Sequence, residues 1–101
     1  MMMVQIEIGI SDGKAMVTVN GRLNMSNAMA FEQEVLPVAQ QCTDITLDFA
    51  GVEFISSAGI RVLLTLYRAV SPKGGAVTIV NPCEQVRDIL KETEFDELFN
   101  L

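Results

Sequence analysis

The residues of this chain best placed to do chemistry are two adjacent serines, Ser56 and Ser57, with Arg61 shortly after them. A serine hydroxyl becomes a nucleophile when a neighbouring base takes its proton, most often a histidine. The sequence contains no histidine. That removes Ser-His-Asp and Cys-His catalysis and every His-ligated metal site. The serines do not lie in a G-x-S-x-G elbow. Cys42 and Cys83 are too few for a four-thiolate zinc site and form no CxxC pair. They read as small packing residues in a reducing compartment, with a single disulfide between them as the alternative. No G-x-x-x-x-G-K-[ST] phosphate loop is present either. The chain therefore reads as a non-enzyme with no metal and no cofactor. If either serine takes part in chemistry, it accepts a group from another enzyme.

Helical phase separates the two serines. The stretch from Leu47 to Arg61 reads as a strand, a loop and a helix start. Ile60, Leu63, Leu64 and Tyr67 mark a buried stripe, while Arg61, Thr65 and Arg68 mark a polar one. Ser57 extends the polar stripe; Ser56 falls on the buried phase. The simplest assignment makes Ser56 the N-cap, bonded to the amide of Ala58 or Gly59. Ser57 is then the first helical residue and faces solvent. Ala58 and Gly59 are small and leave the surface around it open. Paired serines before a helix are also commonly caps and nothing more, and Arg68 reads as an ordinary solvated residue.

The elements that position this segment follow from periodicity. Val4, Ile6, Ile8 and Ile10 alternate as a strand with one apolar face. After Ser11-Asp12-Gly13, Ala15 to Val19 form its hairpin partner, ended by Asn20-Gly21. Asn24, Ser26 and Asn27 are candidate caps for a helix marked by Ala28, Phe31, Val35 and Val38, which Pro37 should kink or shorten. Ile45, Leu47 and Phe49 make a third strand. A helix from about Ser57 to Val70 follows, stopped by Ser71-Pro72-Lys73-Gly74-Gly75, and Ala76 to Val80 form a fourth strand. Asn81, Pro82 and Glu84 suit the cap, N1 and N3 positions of a third helix. Phe95, Leu98 and Phe99 suggest a short closing helix.

The order β-β-α-β-α-β-α-α predicts an α/β fold with a four-stranded mixed sheet. Helical crossovers make strands two, three and four parallel. Gln5, Glu7, Thr18, Thr46, Asp48 and Thr78 occupy the second face of their strands, so the helices belong mainly on one side.

The chain has 101 residues, enough for a single domain spanning 1–101 with one core. Seven basic against thirteen acidic residues give a net charge of −6, with no Lys/Arg cluster, which disfavours direct nucleic-acid binding. Six acids and two bases fall within residues 84–101, read as a solvated helix face. No apolar run approaches the ~18 residues of a membrane span, so no membrane insertion is expected. Met1-Met2-Met3-Val4 has no basic flank and no long apolar stretch, and does not read as a signal peptide. The expected location is cytoplasmic.

The segment Leu47-Asp48-Phe49-Ala50-Gly51-Val52-Glu53-Phe54-Ile55-Ser56-Ser57-Ala58-Gly59-Ile60-Arg61-Val62-Leu63-Leu64 resembles the central segment of STAS-domain anti-sigma factor antagonists. Gly21-Arg22-Leu23-Asn24 resembles the Gly-x-Leu-Asp turn of that family. Gly74-Gly75 and the Phe95 to Phe99 close also fit, so nearly the whole chain is covered. The resemblance implies a STAS-like fold and a phosphorylation-controlled, protein-binding switch. In its dephosphorylated form such a protein sequesters an anti-sigma factor that is also a serine kinase of the GHKL ATPase type, freeing a sigma factor or other client. A metal-dependent phosphatase of the PPM type resets the switch. The family's acceptor maps onto Ser57, with Ser56 as the competing acceptor, and the implied contact patch is Asn24, Ser56, Ser57, Ala58 and Arg61. Three positions depart from the family: Ser56 replaces a common Asp, Ala58 a common Ser or Thr, and Asn24 the turn Asp. The alternative reading is an accessory or regulatory STAS subunit of a membrane transporter, without a phosphorylation cycle.

Overall fold

A computed structural model describes residues 4–101; the leader reading of Met1 to Met3 lies outside them. The first strand, β1 (Gln5–Ser11), turns back into β2 (Lys14–Leu23) through Asp12 and Gly13. Both turn residues have positive φ, +52° and +75°. That is the backbone of the tight hairpin turn whose twist matches the strands, and Asp-Gly is a favoured pair for it. Helix α1 (Ala28–Gln41) crosses to β3 (Asp44–Ile55), and α2 (Ser57–Val70) crosses to β4 (Ala76–Val80). Helix α3 (Glu84–Glu92) follows. Short 3-10 segments lie at Ser71–Lys73 and Asp96–Phe99. The sheet order is β1-β2-β3-β4, antiparallel for the first pair and parallel for the other two, as expected from the crossovers.

One sheet face carries the core. Val17 and Val19 of β2, Leu47 and Phe49 of β3, and Val77 of β4 are fully buried against Phe31 and Val35 of α1 and Leu63, Leu66 and Val70 of α2. The other face carries Thr18, Thr46, Asp48 and Thr78 at cross-strand positions, all half-buried. This is the one-sided cover that their polarity indicated. The apolar face of β1 is only partly covered: Ile6 is half-buried, whereas Ile8 and Ile10 are exposed.

Several boundaries differ from the sequence-based expectation. β2 does not end at Asn20-Gly21 but runs to Leu23, and the segment read as a loop after Phe49 is strand to Ile55. The two extensions pair with each other through register shifts between Thr18 and Asn20 and between Gly21 and Arg22. Each irregularity adds a residue on β3 and breaks the period of two. Buried positions there fall at Phe49, Val52 and Ile55, every third residue, which hides the strand from an alternation test. Pro37 lies inside α1 without shortening it. It is exposed, and so is Gln33, whose carbonyl it leaves without a helical donor. Asn81 does not cap α3, which starts at Glu84 after Cys83. Its φ is +57°, and its side-chain amide donates to Asp48 Oδ1 at 3.3 Å.

The C-terminus of α1 has no basic residue of its own. Lys73 supplies one from the turn after α2, its Nζ donating to the carbonyls of Ala39 at 2.7 Å and Cys42 at 3.2 Å. A cation there both satisfies open carbonyls and opposes the helix dipole. Replacing Lys73 with Met keeps the aliphatic stem and removes the charge. This variant should lose about 1 kcal/mol, typical of an exposed charged hydrogen bond at a helix end. A thermal melt should show a fall of about 4–8 °C.

Candidate functional site

Parallel strands β2 and β3 end together, with Leu23 facing Ile55. One residue on, the Ser56 amide donates to the Leu23 carbonyl at 2.7 Å, and the chain turns into α2. Ser56 is extended, with φ −94° and ψ 174°, and its Oγ accepts from the Gly59 amide at 3.4 Å. It is therefore the N-cap, as its phase indicates, with a bond at the long end of the range. Ser57 is the first helical residue and is exposed; Arg61, one turn on, is exposed too. Ser56 and Ala58 are half-buried.

Asn24 follows Leu23 as Ser56 follows Ile55, so the two lie side by side at the end of the sheet. Asn24 Oδ1 accepts from the amides of Ser26 at 2.9 Å and Asn27 at 3.2 Å. Asn27 Oδ1 in return accepts from the Asn24 amide at 2.9 Å, and its Nδ2 donates to the Arg22 carbonyl. This reciprocal pair resembles a capping box and holds the turn that starts α1. The candidate residues Asn24, Ser56, Ser57, Ala58 and Arg61 thus share one end of the molecule, where α1 and α2 both begin. Arg68 is exposed farther along α2.

Two expectations are corrected here. Gly59 does not leave surface open; it is buried. A Cβ on it would lie 2.8 Å from Ile55 Cγ1, 3.1 Å from Leu23 Cβ and 3.3 Å from the Leu23 carbonyl oxygen. The bare glycine lets the first turn of α2 press onto the strand ends. The buried stripe of α2 is also rotated from the expected one. Val62, Leu66 and Val70 are buried with Ile60 and Leu63, while Leu64 and Tyr67 are only half-buried.

Leu64 is half-exposed because it lines an open cleft of about 200 Å³ with Ser57, Ile60, Arg61, Thr93 and Phe95. One wall is α2 and the other is the turn after α3, so no local pattern pointed to Thr93 or Phe95. Met25 and Met29 were also missed as surface features. They are 83% and 68% exposed around the start of α1. Two apolar residues in an otherwise polar cap region were the available signal. Flexible, polarisable methionines suit an adaptable contact surface.

Among the described residues no group of three or more His, Cys, Asp or Glu side chains could hold a metal. Cys42 and Cys83 are both free thiols, Cys42 buried and Cys83 half-buried. No helix among the described residues is long and apolar enough to cross a membrane.

Comparison with known proteins places this geometry among relatives. The STAS domain family description matches residues 5–101. The chain is similar to the anti-sigma F factor antagonist of Paenibacillus polymyxa, at 32% identity over 85 residues, 80% of this chain and 73% of that one. Among solved structures it is similar to an anti-sigma factor antagonist from Mycobacterium paratuberculosis. That match has 28% identity and a TM-score of 0.81, covering 97% of this chain and 84% of that one. It shares its fold with the Bacillus cell fate determinant SpoIIAA in the phosphorylated form. Identity there is 14% and the TM-score 0.75, with 93% of this chain and 87% of that one covered.

The contacts around Gly59 carry a test. Inside an exposed helix a Gly→Ala change gains roughly 1 kcal/mol. Here Gly59→Ala should instead be neutral or destabilising. Gly59→Val should cost more, at the upper end of the ~1–3 kcal/mol of overpacking. Chemical denaturation of both variants would show it, and a more stable Gly59→Ala would mean that the approach is looser than described.

Proposed function

The chain belongs to the STAS domain family, and on that premise we propose that it is an anti-sigma factor antagonist whose binding is switched by phosphorylation of Ser57. The partner in this reading is an anti-sigma factor that is also a serine kinase of the GHKL ATPase type. It binds the dephosphorylated protein, releasing a sigma factor or other client, and a PPM-type phosphatase restores binding after modification. The supporting relatives are named as antagonists of anti-sigma factors.

The observation that carries the choice of residue is the contrast between the two serines. Ser57 is exposed at the first helical position, whereas Ser56 is half-buried and its oxygen caps Gly59. A kinase reaches Ser57 without disturbing the helix start. Modifying Ser56 would cost the cap, worth ~1 kcal/mol.

Phosphoserine carries about −1.5 to −2 charges near neutral pH. At position 57 it meets first-turn amides without intrahelical partners and the positive end of the helix dipole. Arg61 lines the same cleft. The local field therefore tolerates the phosphate, and the switch acts on the partner. A surface packed over Ser57 would have to desolvate a dianion, which costs several kcal/mol without a matching cation. Asn24, Ser56, Ser57, Ala58 and Arg61 form the contact patch in this reading.

Incubation with the cognate kinase and ATP, followed by peptide mass spectrometry, should place the phosphate on Ser57. Modification of Ser56 alone would overturn the assignment, and modification of neither would overturn the kinase reading. Calorimetry on the purified pair should show Ser57→Ala binding like the unmodified protein. Ser57→Asp should bind roughly tenfold more weakly or worse, a loss of ~1.4 kcal/mol.

Phosphorylation should leave the fold in place. The favourable dipole contribution of ~0.3–1 kcal/mol opposes a diffuse repulsion from the net charge of −6 that salt screens over ~8–10 Å. The melting midpoint should move by only a few degrees while binding collapses. A much lower midpoint would show that the switch works by unfolding.

A further inference from the structure

We propose that β1 is a self-recognition edge, pairing antiparallel with β1 of a second copy so that the two four-stranded sheets join across a two-fold axis. Among the described residues, β1 is an outer strand of the sheet, seven residues long, and pairs in regular register with β2 on its inner side only. Open edges usually carry charged side chains, lysine above all, a proline or a bulge that blocks further pairing. The sequence Gln-Ile-Glu-Ile-Gly-Ile-Ser has no lysine, proline or bulge and a single charge, Glu7. Ile8 and Ile10 lie on the helix-bearing side, opposite Val17 and Ala15 of β2, yet they are 37% and 48% exposed.

The strand's own sequence selects a second copy as the occupant. In an antiparallel pair around a two-fold axis, opposed residues must have the same parity, since alternate residues direct their backbone groups outward. An axis at Ile8 pairs all seven residues: Gln5 with Ser11, Ile6 with Ile10, Glu7 with Gly9, and Ile8 with itself. The three isoleucines of each copy then form one apolar strip, and each carboxylate faces a glycine. An axis at Glu7 pairs only residues 5–9 and sets two carboxylates opposite each other, which is repulsive. An axis at Gly9 pairs only residues 7–11 and leaves Ile6 unopposed. Charge and apolar pattern therefore agree on one register. Ser57 and Arg61 lie on α2 and take no part in the pairing, so the proposal does not depend on the phosphorylation reading.

Light scattering on the eluting 101-residue chain should give twice its mass of 11.1 kDa as concentration rises. Ile8→Lys should weaken the dimer at least about tenfold, since it sets like charges opposite each other. Cysteine pairs test the register independently of that variant's folding. Directly opposed residues have Cα atoms ~4.5–5.5 Å apart, within disulfide range. In a Cys83→Ser background, Ile8→Cys should oxidise to a covalent dimer and Glu7→Cys should not. A monomer up to millimolar concentration overturns the proposal. So does a folded Ile8→Lys that dimerises as before, or cross-linking of Glu7→Cys in preference to Ile8→Cys.

Discussion

The close approach of α2 to the ends of β2 and β3 governs the rest of the candidate site. The Ser56 amide is tied to the Leu23 carbonyl at 2.7 Å, and three residues later Gly59 rests against Leu23 and Ile55 with no room for a side chain. These two contacts fix both the height and the rotation of the helix. With Gly59 facing inward, position 57 must face outward, because residues two apart on a helix point in widely different directions. The same rotation places Arg61 one turn behind Ser57 on an open wall. Exposure of Ser57 is thus a consequence of core packing on the other side of the helix.

The two ends of the sheet differ in what they present to solvent. Where β2, β3 and β4 begin, the Thr43 amide donates to the Gly13 carbonyl at 2.9 Å and the Thr43 carbonyl accepts from the Ala76 amide at 3.1 Å. Lys73 joins the same end to the last turn of α1. Where those strands finish, the chain presents helix N-termini, exposed methionines and a cleft. This matches the general tendency of parallel sheets to place ligands and partners beyond the carboxyl ends of their strands. Both ends are tied by hydrogen bonds, and only the second combines them with exposed apolar side chains and a cleft.

Much of this was legible in the sequence, and the omissions have a common cause. The bounds of α2 and β4 were read correctly because Gly74, Gly75 and the apolar periodicity act locally. The N-cap role of Ser56 followed from helical phase alone. The far ends of β2 and β3 were missed because each exists through the other: the stretch from Gly21 to Leu23 is strand only because Val52 to Ile55 lies beside it, displaced by two irregularities. Gly59 was read as an opening because a glycine's lack of a side chain serves an open surface and a tight contact equally. Its neighbours Leu23 and Ile55 come from two other strands. Thr93 and Phe95 reached the cleft through tertiary placement, and Asn81 left its expected cap for a left-handed turn that lets it reach Asp48. Local chemistry identified which residues could act; long-range packing decided which way they faced.

The parallel pairing of the sheet has a kinetic consequence. The β1–β2 hairpin closes through two residues, and such hairpins form in ~1–10 μs. The parallel pairs that carry the site join Leu23 to Ile55 and Leu47 to Ile79, each about thirty positions apart in the chain. Closing such separations carries an entropic cost before any contact rewards it, which makes parallel pairing late in folding. The Ser56–Leu23 bond and the Gly59 contact need the ends of β2 and β3 side by side. A nascent or partly unfolded chain therefore offers its serines as flexible polymer, without the helix start that distinguishes one from the other. Recognition that reads this geometry would act only on molecules in which the helix start has already docked on the strand ends.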